Sequence, residues 1–472
     1  MKAIQNILLL ISLLVCSQTF SQNAKRVPNI IIIYIDDMGY GDVSPYNKEI
    51  NYTPNFQWLA NNGLTLTDFY VSQPVCSASR TSLLTGCYSN RLGIHGALFP
   101  DSKIGLNPEE TTIADMLKAK GYATKAIGKW HVGSRKEFLP TRQGFDEYYG
   151  IPYSNDMWPR NSAGRNFPSL PIIENETVTD TVTDQSWFTQ RFTEKALDFI
   201  STNQSKPFFL YLAHPMPHVP IYVSEKFKGK SGKGLYADVI MELDWSVGEV
   251  INKLKELKLE ENTLLIVASD NGPWLPFGNH GGVTNGLRES KGTTWDGGVR
   301  TPCLMYWKNY LKKNLKLNTP VMNIDIFPTI ASLVNADLPE KKIDGVNVWP
   351  YLDKANIADI TERPLFIYYN TNELQSMRWK NWKLYFPHTY NSMEGIAPGN
   401  DGKRVPTKAI KLESMELYDL SNDQGEKINL APQNPDIVKK MNAMADEMRV
   451  KLGDSLKGIK GKENREPGKV TE

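Results

Sequence analysis

The chain has 472 residues, and 54 Lys and Arg against 52 Asp and Glu leave a formal net charge of +2. At roughly 150 residues per domain, this length allows about three domains, or one large α/β domain with a small appendage. The near-neutral balance excludes the basic field that nucleic acid or an acidic membrane surface would need. A composition of 40% hydrophobic and 22% charged residues excludes a fibrous or wholly disordered chain. The 11 Trp and 21 Tyr suit a carbohydrate-handling protein, and a large core equally well.

Residues 1–21 read as a secretory signal. Met1-Lys2 supplies the positive start, Ile7 to Val15 the apolar run and Thr19-Phe20-Ser21 the small-x-small cleavage site, so the mature chain begins at Gln22. An apolar run of about nine residues cannot span a bilayer, and no later stretch approaches the ~20 required. The expectation is a periplasmic or secreted product with no transmembrane segment. Cys16 after Leu13-Leu14-Val15 partly matches a lipoprotein signal, but Val15 stands where a small residue is needed, so anchoring is the less favoured reading. Without Cys16 there remain Cys76, Cys87 and Cys303, an odd number in an oxidising compartment. Cys76 and Cys87 can pair across a short loop with Cys303 buried; under any pairing one cysteine is left over.

From Pro28 to about Leu352 apolar runs alternate with helical patterns. Asn29 to Ile35 is a β-branched run of the kind buried on both faces of a parallel sheet. A helix is predicted over Thr111 to Lys120, capped by Thr112 with Asp115 and stopped by Gly121. Tyr122 to Ile127 is a strand, as are Phe208 to Ala213 and Leu264 to Ala268, the last preceded by an amphipathic helix over Tyr236 to Leu257. The alternation predicts a doubly wound α/β sheet flanked by helices over residues 22–355. Residues 356–452 read as a small α+β domain, with strands at Pro364 to Tyr369, Ser376 to Tyr385 and Met415 to Asp419 and a helix over Pro435 to Leu452. Residues 453–472, polar and almost free of apolar side chains, read as a disordered tail.

Polar residues follow each of four strands: Asp36-Asp37, Gly128-Lys129-Trp130-His131, His214 with His218, and Asp270-Asn271. In open α/β sheets the carboxyl ends of the strands form the binding crevice, so these groups should converge. Asp36, Asp37, Asp270 and Asn271 offer only oxygen ligands, which select Ca²⁺ or Mg²⁺ over zinc. Lys129 and His131 point to one face if the strand is still extended there. With Arg80, His218 and Lys291 nearby, a cation ringed by basic groups suits an anionic ester such as a sulfate or phosphate.

These residues reach a family. Cys76-Ser77-Ala78-Ser79-Arg80-Thr81-Ser82-Leu83-Leu84-Thr85-Gly86 resembles the signature of the type I sulfatases of the alkaline phosphatase superfamily, whose cysteine is oxidised to Cα-formylglycine by a maturation enzyme. Gly128-Lys129-Trp130-His131 resembles the second signature, and Ser290-Lys291-Gly292-Thr293-Thr294-Trp295-Asp296-Gly297-Gly298-Val299-Arg300 a third. Gly150-Ile151-Pro152-Tyr153-Ser154 is similar to the arylsulfatase A-like branch. The resemblance runs from about Val27 to Leu430, with Ala78 departing from the commoner Pro. It implies an alkaline phosphatase-like fold and hydrolysis of a sulfated carbohydrate or aryl sulfate through a formylglycine gem-diol and a covalent sulfo-enzyme.

By the same resemblance Asp36, Asp37, Asp270 and Asn271, with the modified Cys76, hold Ca²⁺, Mg²⁺ being the alternative. Arg80 orients the diol, and Lys129, Lys291 and Ser154 bind sulfate oxygens. His218 protonates the leaving alcohol, His131 takes the proton that releases the sulfate, and His214 is the structural alternative to His218. Trp158, Arg160 and Trp274 are candidates for the substrate pocket. The rival readings are a phosphate or phosphonate ester hydrolase with the same centre, and a glycan-binding protein with a degenerate one.

Overall fold

In the computed structural model the Asn29–Ile35 strand lies fully buried at the middle of an 11-stranded mixed sheet. The structure describes residues 27–160, 164–354 and 362–470. The signal segment, Cys16, the Gln22 start and the domain boundary near residue 355 lie outside the described residues.

The period of two in N-I-I-I-I-Y-I explains the layering. Ile30, Ile32 and Tyr34 enter one core and Ile31, Ile33 and Ile35 the other, so the run seals both faces at once. Phe208–His214 and Thr263–Ser269 pair with this strand in parallel, one on each side. Ala123–Lys129 adds in parallel to Phe208–His214, and Glu147–Ile151 follows it. Five adjacent parallel strands therefore end on one rim. Beyond them Arg300–Tyr306 pairs antiparallel with both Thr263–Ser269 and Leu64–Tyr70.

Helices cover both faces. Phe188–Thr202 and Leu235–Glu256 pack together on one, and Cys76–Thr85, Ile113–Ala119 and Ile326–Leu333 occupy the other. The Thr112–Asp115 capping box forms as the sequence predicts. Among the described residues no helix is long and apolar enough to cross a membrane.

The small C-terminal sheet is antiparallel, in the order Leu365–Tyr369, Glu373–Trp379, Trp382–Tyr385 and Glu416–Asp419. The single strand predicted over Ser376 to Tyr385 is in fact two, because Lys380 adopts a left-handed conformation (φ 55°) and turns the chain back. The Pro435–Leu452 helix buries Met441, Ala445 and Leu452 against this sheet. Between the two sheets lies a buried ionic cluster. Lys383, wholly buried, reaches Asp296 at 2.6 Å and Glu426 at 3.3 Å, while Arg300 pairs with Asp68 at 3.0 Å.

The predicted disordered tail is not observed over residues 453–470. Gly453–Asp454 pairs with Ile459–Lys460, and Gly468–Lys469 pairs with Ile104–Gly105 of the main body. Arg465 meets Glu110 at 2.8 Å and Glu463 meets Arg91 at 3.0 Å. Backbone pairing and ion pairs to distant residues order this segment, so its lack of apolar side chains was no guide.

Candidate active site

The rim where the parallel strands end gathers the polar residues. Asp36-Asp37 follow Asn29–Ile35, Asp270-Asn271 follow Thr263–Ser269, and Lys129 closes Ala123–Lys129. Two residues here are non-glycine and left-handed, Asp37 (φ 63°) and His131 (φ 62°). Such conformations persist only where the surroundings impose them. The strand therefore stops at Lys129, and the extended path assumed for Lys129 and His131 does not continue. The approach of neighbouring strands also requires Gly128 (φ 97°), where a Cβ would meet the Ala213 carbonyl oxygen at 2.0 Å.

Cys76 opens the Cys76–Thr85 helix, whose positive end thereby abuts the site. One turn on, Arg80 lies on the same helix face. The Cys76 Sγ is 3.3 Å from Asp36 Oδ1 and 3.4 Å from Lys291 Nζ. Arg80 donates to Asp270 Oδ2 from both Nε (3.0 Å) and a terminal nitrogen (2.8 Å). Lys129 Nζ donates to Asp36 and to Ser154 Oγ, the latter at 3.0 Å. Lys291 Nζ donates to Asp37 Oδ1 at 2.6 Å, and Asn271 Nδ2 donates to the same oxygen at 2.6 Å.

Electrostatics at this centre follow from burial and charge density. Burial, helped by Asp36, pushes the Cys76 thiol up. Burial would raise Asp36 too, but Lys129, His218 and Arg80 hold it well below the usual carboxylate range. Asp270 goes the other way, raised to about 7 by burial and by the adjacent Asp36. Burial would lower Lys291, but Asp37, Cys76, Asp36 and Asp270 together outweigh it and raise the group.

The two histidines present different atoms. Nδ1 of His218 donates to the Val219 carbonyl at 2.6 Å, leaving Nε2, 3.7 Å from Asp37 Oδ2, as the exchangeable nitrogen. His131 donates from Nε2 to the Leu98 carbonyl at 2.9 Å, and its buried Nδ1 has no partner among the described residues. Burial lowers both imidazoles, with Lys291 adding to the effect at His218 and Lys129 at His131. His214 is elsewhere: it is buried, bonded to Ser246 Oγ at 3.0 Å and absent from the cleft.

The donor set suits a hard cation. Oxygens of Asp36, Asp37 and Asp270 and the Cys76 sulfur lie within 4.8 Å of one another, and the buried Asn271 Oδ1 lacks any partner among the described residues. An orphaned amide oxygen beside three carboxylates is what an oxygen-liganded Ca²⁺ or Mg²⁺ needs.

Above this floor opens a cleft of about 870 Å³. Cys76, His131, Ser154, His218 and Lys291 line it, together with Trp274. Of the other pocket candidates, Trp158 is buried against Tyr222 and Arg160 donates to the Thr183 carbonyl, so neither lines the cleft. Sequence reasoning missed the walls, built by Phe99, Arg165 and Phe167 on one segment pair and by Asn391 and residues 402–407 of the C-terminal part. It missed Asp42 as well. This buried carboxylate accepts from Gly39 N (2.6 Å), Val283 N (2.8 Å) and Tyr236 Oη (2.5 Å), clamping the turn that begins at Asp36. The glycine-punctuated run Asp36-Asp37-Met38-Gly39-Tyr40-Gly41-Asp42 was the available signal. Cys76, Cys87 and Cys303 are all buried and unpaired, so the Cys76–Cys87 bridge does not form.

Comparison with known proteins agrees with the geometry. A family model described as Sulfatase matches residues 28–336, and one described as the C-terminal region of aryl-sulfatase matches residues 361–462. Arylsulfatase A of Homo sapiens is 35% identical over 427 residues, covering 86% of this chain and 83% of the relative. The N-acetylgalactosamine-6-sulfatase of Sus scrofa is 34% identical over 436 residues, covering 86% and 82%. Among solved structures, the PsFucS1 sulfatase from Pseudoalteromonas sp. superposes with a TM-score of 0.80 at 28% identity, covering 90% of this chain and 91% of its own.

Proposed function

We propose, from the premise that the chain belongs to the sulfatase family and is a sulfuric ester hydrolase, that it is an exported enzyme removing sulfate from a glycan through a formylglycine at Cys76. The observation that carries this reading is the setting of Cys76. It stands at a helix start on the cleft floor, touching Asp36 and Lys291 and grouped with Asp37 and Asp270, where a thiol has no oxygen to give to sulfur. Oxidation to Cα-formylglycine and hydration would give this position two oxygens, one to attack sulfur and one retained for sulfate release.

Asp36, Asp37, Asp270 and Asn271, with the modified Cys76, would hold Ca²⁺, or Mg²⁺ in its place. When bound, the cation supplies Lewis-acid polarisation of a sulfate oxygen and acidifies the nucleophile. Arg80, locked to Asp270, orients the nucleophilic position. Lys129, Lys291 and Ser154 bind the remaining sulfate oxygens, their charges positioned before substrate arrives. His218 gives the proton at Nε2 to the departing sugar oxygen, and His131 accepts at Nδ1 the proton whose removal lets sulfate go. The glycan assignment is supported by the aromatic cleft and by the N-acetylgalactosamine-6-sulfatase relative.

Parallel turnover of 4-nitrophenyl sulfate and 4-nitrophenyl phosphate tests the reading. A kcat/KM greater for the sulfate is the expected result; preference for the phosphate would assign the site to the phosphate ester hydrolases, and no turnover of either by protein carrying the aldehyde would refute catalysis.

A further inference from the structure

The cleft carries more positive charge than one sulfate group employs. Lys129, Lys291 and Arg80 already serve the floor. Arg165, Lys403 and Arg404 stand higher on the walls, and among the described residues Asp156 is the one acidic residue lining the cleft. A neutral sugar bearing a single sulfate gives Lys403 and Arg404 nothing to bind.

Arg404 is the best placed of them. Its guanidinium lies 5.8 Å from the centre of the Trp274 ring, and among the described residues no carboxylate neutralises it. The same indole lies 4.7 Å from Lys291 Nζ and 5.5 Å from the His218 ring. Trp274 thus connects the floor, where the scissile sulfate and leaving oxygen belong, to Arg404. Lys291 and Arg404 both lie over this indole, so a sugar with one sulfate at Lys291 has its neighbouring substituents within reach of the guanidinium.

The loop bearing Arg404 is a fixed wall rather than a loose strand of surface. Gly399 N and Val405 N both donate to the Pro276 carbonyl, at 3.3 and 3.1 Å. Asn279 and Asp401 exchange two further bonds, at 2.8 and 3.1 Å. Contact is so close that a Cβ on Gly278 would meet the Gly399 carbonyl oxygen at 1.8 Å. On the other wall Arg165 lies 5.6 Å from the Phe99 ring, itself stacked on Phe167.

We propose that Arg404, assisted by Lys403 and Arg165, forms a second anion subsite, so that the preferred substrate is a polyanionic glycan with a further sulfate or carboxylate beside the scissile sulfate. This rests on the cleft being a sulfatase site. Charge-assisted bonds from a guanidinium to such a group favour a dianionic sugar over a monoanionic one by roughly 10-fold or more.

The test measures inhibition of 4-nitrophenyl sulfate turnover by galactose 6-sulfate, galactose 4,6-disulfate and 6-sulfated galactose linked to glucuronate. In the wild type at least one doubly charged sugar binds about 10-fold more tightly than the monosulfate. In Arg404→Gln that advantage falls to about twofold or less, and Arg404→Lys restores part of it. Which dianion gains identifies sulfate or carboxylate as the second group. Failure of both to outbind the monosulfate in the wild type, or an undiminished advantage in Arg404→Gln, overturns the subsite. Absence of nitrophenyl sulfate turnover by wild type bearing the aldehyde strikes the sulfatase reading instead, so the two failures are distinct.

Discussion

Replacing His218 by alanine separates its role from that of His131 through the leaving group. A sugar oxygen departs as a strongly basic alkoxide unless protonated, whereas nitrophenolate leaves unaided. Because Nδ1 of His218 donates to the Val219 carbonyl, Nε2 is the atom that can carry and deliver the proton. Burial and Lys291 lower this imidazole, which makes its protonated form a stronger acid once formed. We expect His218→Ala to lose on the order of 10²–10⁴ in kcat on a sugar sulfate, equivalent to about 2.7–5.5 kcal/mol of barrier, and far less on 4-nitrophenyl sulfate. His214→Ala serves as the control, since His214 bonds to Ser246 away from the cleft. Steady-state kinetics on both substrates with both variants is the assay. Equal losses on the two substrates in His218→Ala, or the selective pattern in His214→Ala, would refute the assignment of the general acid.

Other outcomes follow from the charges around the floor. Exhaustive chelation should abolish turnover, and Ca²⁺ or Mg²⁺ should restore it better than Zn²⁺ because the protein ligands are hard oxygens; activity that persists in protein shown by metal analysis to be cation-free would contradict this. Cation binding requires the Asp270 carboxylate, whose folded pKa is raised to about 7, so protons compete below that pH. The apparent cation affinity, read by calorimetry, should weaken by up to about tenfold per pH unit as pH falls below 7 and level off above it. Lys383→Ala leaves Asp296 and Glu426 buried without their shared cation, so a destabilisation of about 3–5 kcal/mol is expected in denaturant unfolding, and a loss under 1 kcal/mol would show that the cluster is not what joins the two sheets.

The sequence revealed the centre of the fold because its signals were local. The β-branched run at Asn29 to Ile35, the Thr112–Asp115 cap and the Pro435–Leu452 helix each carry their pattern in consecutive residues. The floor of the site was legible for a related reason: parallel strands place their following residues on one rim, so Asp36, Lys129 and Asp270 had to meet. The cleft walls obey no such rule. Arg404 sits in a glycine-rich loop with no periodicity, and its position depends on bonds to Pro276 and Asn279, more than a hundred residues earlier. Residue type misled at Trp158 and Arg160, since Trp158 is buried against Tyr222 and Arg160 bonds the Thr183 carbonyl, and neither lines the cleft. Composition misled at residues 453–470, because strand pairing with Ile104–Gly105 and the Arg465–Glu110 ion pair need no apolar side chains. Non-local bonds of this kind leave no trace in a local window.

The central claim is that sulfate ester hydrolysis depends on conversion of Cys76, and one titration tests it directly. Preparations made with and without a formylglycine-generating enzyme are blended to span the range of modification, the aldehyde fraction at Cys76 is measured by peptide mass spectrometry, and 4-nitrophenyl sulfate turnover is plotted against it. The account predicts a straight line through background at zero aldehyde, with Cys76→Ala lying on that background. Full turnover by protein whose Cys76 remains a thiol would contradict it.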